Sequence, residues 1–287
     1  MQLTTDNMTE GYLAAVRHVL EDGTDVAPRG KHTREVLGFQ LVLTDPTRAL
    51  AVGTGRKLHP GVAAAEALQL VGGFSDPAAM RQVSPHFEKF LDGGVLHAPY
   101  GVRVLPQLQR VVERLRLDPT TRQAVVSIWD PVQDLLVDGS RDYPCTTHLQ
   151  FMCRERFFDA GGEGPEIELA LDCHVSMRAN DAWHGFPYDV FQFAFLQCTL
   201  ANVLGVGYGR YFHHATSFHL YDKQLDAAAA LAPQPHVSRQ TFGIAATSVA
   251  EAVVRARALF YGQAGGLDEG EVYLGNAMRK AGVTGSW

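Results

Sequence analysis

The sequence lacks most of the marks of a secreted, membrane-spanning or nucleic-acid-binding protein. Its first residues, Met1-Gln2-Leu3-Thr4-Thr5-Asp6, show no basic segment followed by an apolar one, so no signal peptide is expected. No apolar run reaches the length that a bilayer span requires. Lys and Arg number 25 against 31 Asp and Glu, and the net charge of −6 argues against a broad basic face for a phosphate backbone. Cysteine is scarce. The four residues at 145, 153, 173 and 198 show no CxxC spacing and are expected to be free thiols, not a disulfide framework. These absences together point to a cytoplasmic protein.

Familiar cofactor motifs are missing as well. Gly53-Thr54-Gly55-Arg56-Lys57 lacks the GxxxxGK[ST] spacing of a phosphate loop, and no GxGxxG follows a strand, which weakens ATP and dinucleotide readings. His213-His214 with His219 does not form HExxH and has no carboxylate at matching spacing, so no metal site is expected. There is no internal repeat, and no linker before Pro233.

What is present suits a folded globular chain. The chain has 287 residues, 46% of them hydrophobic, enough for a substantial core. Apolar spacing predicts helices over 8–22, 60–71, 105–117, 188–204, 247–261 and 268–281, with a helical turn over 85–91. Branched and aromatic runs predict strands over 35–44, 124–129, 148–154, 166–177 and 211–221. The expected fold is a single α+β domain. The composition shift at Pro233 divides residues 1–232 from 233–287, the latter expected as a C-terminal helical extension packed on the same domain.

Chemistry concentrates between Asp142 and Tyr221. Cys145 follows a proline at the mouth of a predicted strand; it is either a small buried hydrophobe or a nucleophile whose thiolate nearby cations would favour. Arg29, Arg122 and Arg178 fall at turns or strand ends and, if they converge, could clamp a phosphate. Glu66 lies within the apolar helix AAAEALQLV, either at its wet edge or as a half-buried acid suited to proton transfer.

In order and spacing, Asp118-Pro119-Thr120-Thr121-Arg122, Pro144-Cys145, Gln150-Phe151, Arg178-Ala179-Asn180-Asp181, Gly185-Phe186-Pro187-Tyr188-Asp189 and His219-Leu220-Tyr221 resemble the thymidylate synthase superfamily. The resemblance runs from about residue 10 to 225 and implies a mixed β-sheet flanked by helices, with residues 1–232 as the catalytic domain. It implies that Cys145 adds to C6 of a pyrimidine nucleoside monophosphate and that Glu66 orders water and relays protons. It implies phosphate ligands at Arg29, Arg178 and Arg122, the last donated across a homodimer interface. By the same likeness His219 and Tyr221 contact the ribose, Tyr100 lines the site, and Asp181 meets the pterin of 5,10-methylene-tetrahydrofolate.

Departures from the family pattern sharpen the expectation. Thymidylate synthases carry Asn where this chain has Asp189, and that amide pairs with O4 and N3–H of uracil. Cytosine reverses this pattern, and a carboxyl group can accept from N4 and, when protonated, donate to N3. Asp189 resembles the cytidylate hydroxymethylases, in which water instead of hydride completes the reaction and leaves a 5-hydroxymethyl group. Phe87 and Phe90 stand near the tryptophans that screen the intermediate in thymidylate synthases, and smaller rings could admit water. Ala179 replaces a serine of the nucleotide grip, Gln123 a second interface arginine, and Thr146 a histidine of the uracil network. The altered grip points to a ribonucleotide, as in the CMP hydroxymethylases of nucleoside-antibiotic pathways, with dCMP the near alternative and dUMP chemistry the rival. The part after Gln224 does not match the family's closing tail.

Overall fold

Three long strands run through the middle of the computed structural model, which describes residues 2–261 except 78–79, 82–84, 137, 159–165 and 236–239. They are β5 (Thr146–Phe158), β6 (Glu166–Asp181) and β7 (Gly207–Tyr221). Before them come β1 (Gln2–Thr5), β2 (Thr24–Val26), β3 (Thr33–Leu43) and β4 (Val125–Ser127). Among the described residues, these seven strands form one mixed sheet in the order β1-β3-β7-β6-β5-β4, with β2 paired to β3. The β6–β7 and β1–β3 ladders are parallel; the others are antiparallel. The α+β expectation holds.

Helices cover the sheet: α1 (Met8–Asp22), α2 (Pro60–Gly72), α3 (Tyr100–Leu117), α4 (Phe186–Leu204), the short α5 (Leu225–Ala229) and α6 (Val249–Phe260). Local signals set their ends. Asn7 caps α1 by accepting from Glu10 N at 3.0 Å, and Gly73 ends α2 in the left-handed region at φ 60°. α4 is buried on most sides, with Phe186, Phe191, Phe193 and Phe195 in the core. Aromatic packing ties it to the sheet: Phe186 meets the edges of Phe39 and Phe218, whose rings stack at 4.0 Å.

Two boundaries differ from expectation for physical reasons. Pro106 reads as the first turn of a helix, yet α3 starts at Tyr100 and carries Pro106 inside it. Burial of Val104, Leu108, Val111, Val112 and Leu115 offsets the lost backbone bond. The start at Tyr100 matters, because a Cβ on Gly101 would lie 2.2 Å from Gln69 O; only glycine lets α3 abut α2 here. Likewise β7 begins at Gly207, ahead of Tyr211, because Gly207 and Tyr208 pair with Ala170 and Leu171 of β6.

Gly38 sits between the pairs Leu37–Ser217 and Phe39–Ala215 with φ 68°, and the burial phase of β3 and β7 turns over there. Tyr211, His213 and Ala215 therefore face the core, whereas past Thr216 it is Phe218 and Leu220 that are buried, leaving His219 and Tyr221 half-buried. Beyond Pro233, Val249, Ala252, Ala256, Leu259 and Phe260 join the same core as α2, and Arg257 Nε donates to Gly72 O at 2.7 Å. The expected helix over 268–281 lies outside the described residues.

Candidate active site

Cys145 ends the loop that leads into β5, and its backbone is held from both sides. Arg178 N donates to Cys145 O at 2.8 Å, and Arg178 Nε donates to Pro144 O at 2.9 Å. The Arg178 guanidinium also lies over Trp129, 5.4 Å from the ring centre. From the other side, Tyr100 Oη accepts from Cys145 N and Thr146 N, each at 3.1 Å. Upstream, Asp142 Oδ2 takes Ala98 N at 3.0 Å.

The thiol differs from expectation in one respect. Burial pushes Cys145 up, Arg178 opposes this, and Asp189, Asp142 and Asp181 reinforce it. In the free protein the cation is outweighed, so the group rests as a thiol.

Asp189, in the first turn of α4, receives two amides. Asn180 Nδ2 donates to its Oδ2 at 2.7 Å and Gln192 Nε2 to its Oδ1 at 3.0 Å. Burial nonetheless raises its carboxyl to about 6, against the pull of those donors. A Cβ on Gly185 would lie 2.9 Å from Asp189 Oδ2 and 3.1 Å from Asn180 Nδ2, so glycine is required for this pair to meet. Glu66 on α2 is raised to about 8, first by burial and then by the charge of Asp189. It is the half-buried acid of the sequence-based alternatives.

The Glu66 shift has a stability consequence. The folded state holds a proton that the unfolded chain releases above its ordinary carboxylate range, so stability falls as pH rises from about 4.5 toward 8. Glu66→Gln is expected to melt higher than wild type at pH 9, by on the order of 1–3 kcal/mol after discounting for solvent in the cleft. Thermal melts at pH 5 and pH 9 check this; equal differences at both would refute it.

Asp181 and His219 pair across β6 and β7. Asp181 Oδ1 accepts from Trp183 N at 2.8 Å and His184 N at 2.9 Å, which orders the turn into α4. His219 Nδ1 is buried without a hydrogen-bond partner among the described residues, and burial lowers this imidazole against the charges of Asp181 and Glu35. Tyr221 packs edge-on to it at 5.3 Å. Burial raises Tyr221 and the Arg29 guanidinium opposes this, so that exposed arginine stands beside the same cluster. Arg29 adopts φ 54°, ψ 32°, a left-handed conformation that few non-glycine residues hold. Ala179 sits beside Arg178 on β6, opposite Ser217.

Charges link Cys145 to Arg178, Asp189 and Asp181, Asp189 to Glu66 and Tyr100, Asp181 to His219 and Tyr221, and Arg29 to Tyr221, so these groups cluster together. Arg122 is elsewhere: it is exposed ahead of β4, its carbonyl accepts from Gln150 Nε2 at 2.8 Å, and its side chain has no ion pair among the described residues. Phe87 and Phe90 pair edge-to-face at 6.4 Å. No metal-binding cluster of His, Cys, Asp or Glu occurs among the described residues, and no helix there is long and apolar enough to cross a membrane.

Sequence reasoning gave no role to Asn180, Gln192, His213 or Tyr211, which stand behind Asp189. A signal existed: Tyr211 and His213 are polar residues two apart on the buried face of a strand.

A mixed sheet backed by a buried helix, with a thiol and two raised carboxyls clustered beside it, defines the class of the protein as α+β. The thymidylate synthase family model matches residues 10–252, and the chain belongs to that family. Among its relatives is the deoxyuridylate hydroxymethyltransferase of Bacillus phage SP01, 30% identical over 230 residues, which are 74% of this chain and 57% of that protein. The chain therefore matches little more than half the length of that relative. The family and its hydroxymethyltransferases use methylene-tetrahydrofolate.

Proposed function

We propose that the protein transfers a one-carbon unit to C5 of a cytidine monophosphate and hydrates it, giving the 5-hydroxymethyl nucleotide. The observation that carries the choice of base is Asp189, a carboxyl raised to about 6 and held by two amides beside the thiol. At neutral pH such a group can accept from the cytosine amino group and share a proton with N3. The family relation and the phage relative's hydroxymethyl transfer support the one-carbon chemistry. The phage enzyme's substrate favours a second reading, in which deoxyuridylate is modified.

The residues fit the cofactor. A cavity of about 170 Å³ is lined by Leu50, Val52, Leu58 and Tyr188 with Arg56 and Lys57, apolar walls with two cations suited to a flat ring system that ends in carboxylates. Asp181, Phe87 and Phe90 are the residues we assign to its ring end. The folate supplies one carbon at the oxidation level of formaldehyde, which C5 accepts.

The chain's own groups do the rest. Cys145 Sγ bonds to C6 as its proton passes to water, the C5–C6 electron pair moves to C5, and Arg178 offsets the charge. The S–C6 bond breaks again when water has added to the new carbon on C5. Glu66 is poised near neutrality to pass protons between water and the ring. Tyr100 accepts two backbone N–H groups, so its own hydrogen remains to donate into the cleft. His219 Nδ1 gains a partner from a ribose hydroxyl, and Arg29 and Arg178 take the phosphate. Ala179 favours CMP over dCMP by leaving room for a 2′-hydroxyl. Arg122 completes the phosphate site of a second subunit in a homodimer, and residues 1–232 carry the reaction. We place it in the cytoplasm, where all four cysteines stay unpaired.

The test is to incubate the enzyme with methylene-tetrahydrofolate and CMP, dCMP, UMP or dUMP and weigh the products. A hydroxymethyl gain on the cytidylates is expected. A methyl gain on dUMP, with dihydrofolate released, would overturn the proposal.

A further inference from the structure

Behind Asp189 runs a chain of buried polar groups that the proposed chemistry leaves unused. Tyr211 Oη lies 3.0 Å from His213 Nδ1, and His213 Nε2 lies 2.9 Å from Asn180 Oδ1. Asn180 Nδ2 then lies 2.7 Å from Asp189 Oδ2. Tyr211 is fully buried, His213 is 1% exposed and Asn180 2%.

The direction of this chain is set from its far end. Among the described residues the Tyr211 hydroxyl has one hydrogen-bond partner, His213 Nδ1. Burial keeps that hydroxyl protonated, and its hydrogen would go unpaired in the core unless Nδ1 accepts it. Burial, with His214 nearby, lowers His213 to about 3, so the ring is neutral and its single N–H must sit on Nε2. That hydrogen goes to Asn180 Oδ1. The Asn180 amide is then locked with its NH2 toward Asp189.

We propose that Tyr211, His213 and Asn180 form a one-way hydrogen-bond chain that fixes the group at position 189 as an acceptor on its Asn180 side, so that any proton it carries faces the base, making Asn180 a positioning residue for base choice. The part concerning base choice rests on the cytidylate reading; the direction of the chain does not. With Asn180 and Gln192 both donating from behind, each oxygen of Asp189 already holds one hydrogen bond, which leaves one oxygen to accept from the cytosine amino group and the other to share a proton with N3. An amide at 189 cannot turn its NH2 toward Asn180 unless the Asn180 amide and His213 reverse and strand the Tyr211 hydrogen.

Neutron diffraction from deuterated crystals of the wild-type protein reads the direction outright. Deuterium is expected on His213 Nε2 and not on Nδ1; deuterium on Nδ1 overturns the chain. Tyr211→Phe tests its consequence without touching Asp189, since one hydrogen is removed and the Asn180 amide is free to turn. The ratio of kcat/KM for CMP over UMP is expected to fall by on the order of ten-fold, with an unchanged melting temperature as the folding control. An unchanged ratio in a folded variant overturns the role in base choice, and if the variant does not fold the neutron result decides. Should wild type modify uridylates instead, the base assignment fails, while the hydrogen on His213 still judges the chain by itself.

Discussion

Cys145→Ser is expected to bind nucleotide about as well as wild type and to turn it over more slowly by at least about 10⁴-fold. The reason lies in how the loop is held. The bonds that pin residue 145 come from backbone groups, Cys145 O to Arg178 N and Cys145 N to Tyr100 Oη, and survive the change of one side-chain atom. What is lost is a polarizable sulfur that Arg178 helps to ionise; a hydroxyl in the same half-buried place stays protonated. Calorimetric titration with CMP and single-turnover assays separate the two effects. Turnover within ten-fold of wild type would mean that the thiol forms no bond to the substrate, and a protein that binds normally with or without the thiol but never turns over would be a nucleotide-binding relative.

Asp189→Asn is expected to cost cytidylate kcat/KM on the order of 10³–10⁵-fold, because a site built around one hydrogen-bond pattern leaves buried groups unpaired with another. Its packing should change little, since Asn and Asp are nearly isosteric and Gly185 still leaves room beside Asn180. The loss should therefore appear in kcat/KM for CMP and dCMP, with thermal stability close to wild type. Assays of the variant and wild type on all four pyrimidine monophosphates check this. Undiminished CMP turnover would remove Asp189 from base recognition, and improved dUMP turnover from a wild type already active on dUMP would favour the deoxyuridylate reading.

Much of the fold was legible where local chemistry and tertiary packing agree. Helix α1 begins and ends where Asn7 and Gly23 signal it, and the apolar face of α4 reads as buried because it is. Reading failed where packing overrides local preference. Pro106 looks like a helix start but sits inside α3, and Gly207 and Gly209 look like breakers but belong to β7. The site divides in the same way. Cys145, Asp189 and Glu66 stand in motifs whose order resembles a family, so their importance could be read in one dimension. Asn180, Gln192, His213 and Tyr211 could not be grouped, since the fold alone brings together residues from β6, α4 and β7. His213 entered the sequence reading only as a poor metal ligand. Nor could the raised thiol be foreseen, because burial and three carboxylates outweigh Arg178, the one arginine of the three that acts on it.

Of the four cysteines, Cys153, Cys173 and Cys198 are buried and burial pushes all three up, whereas Cys145 keeps some surface at the cleft. To a water-soluble electrophile the folded protein therefore offers a single sulfur. A fluorescent maleimide should label it once per empty site, and on the proposed function a bound nucleotide should block that label one for one.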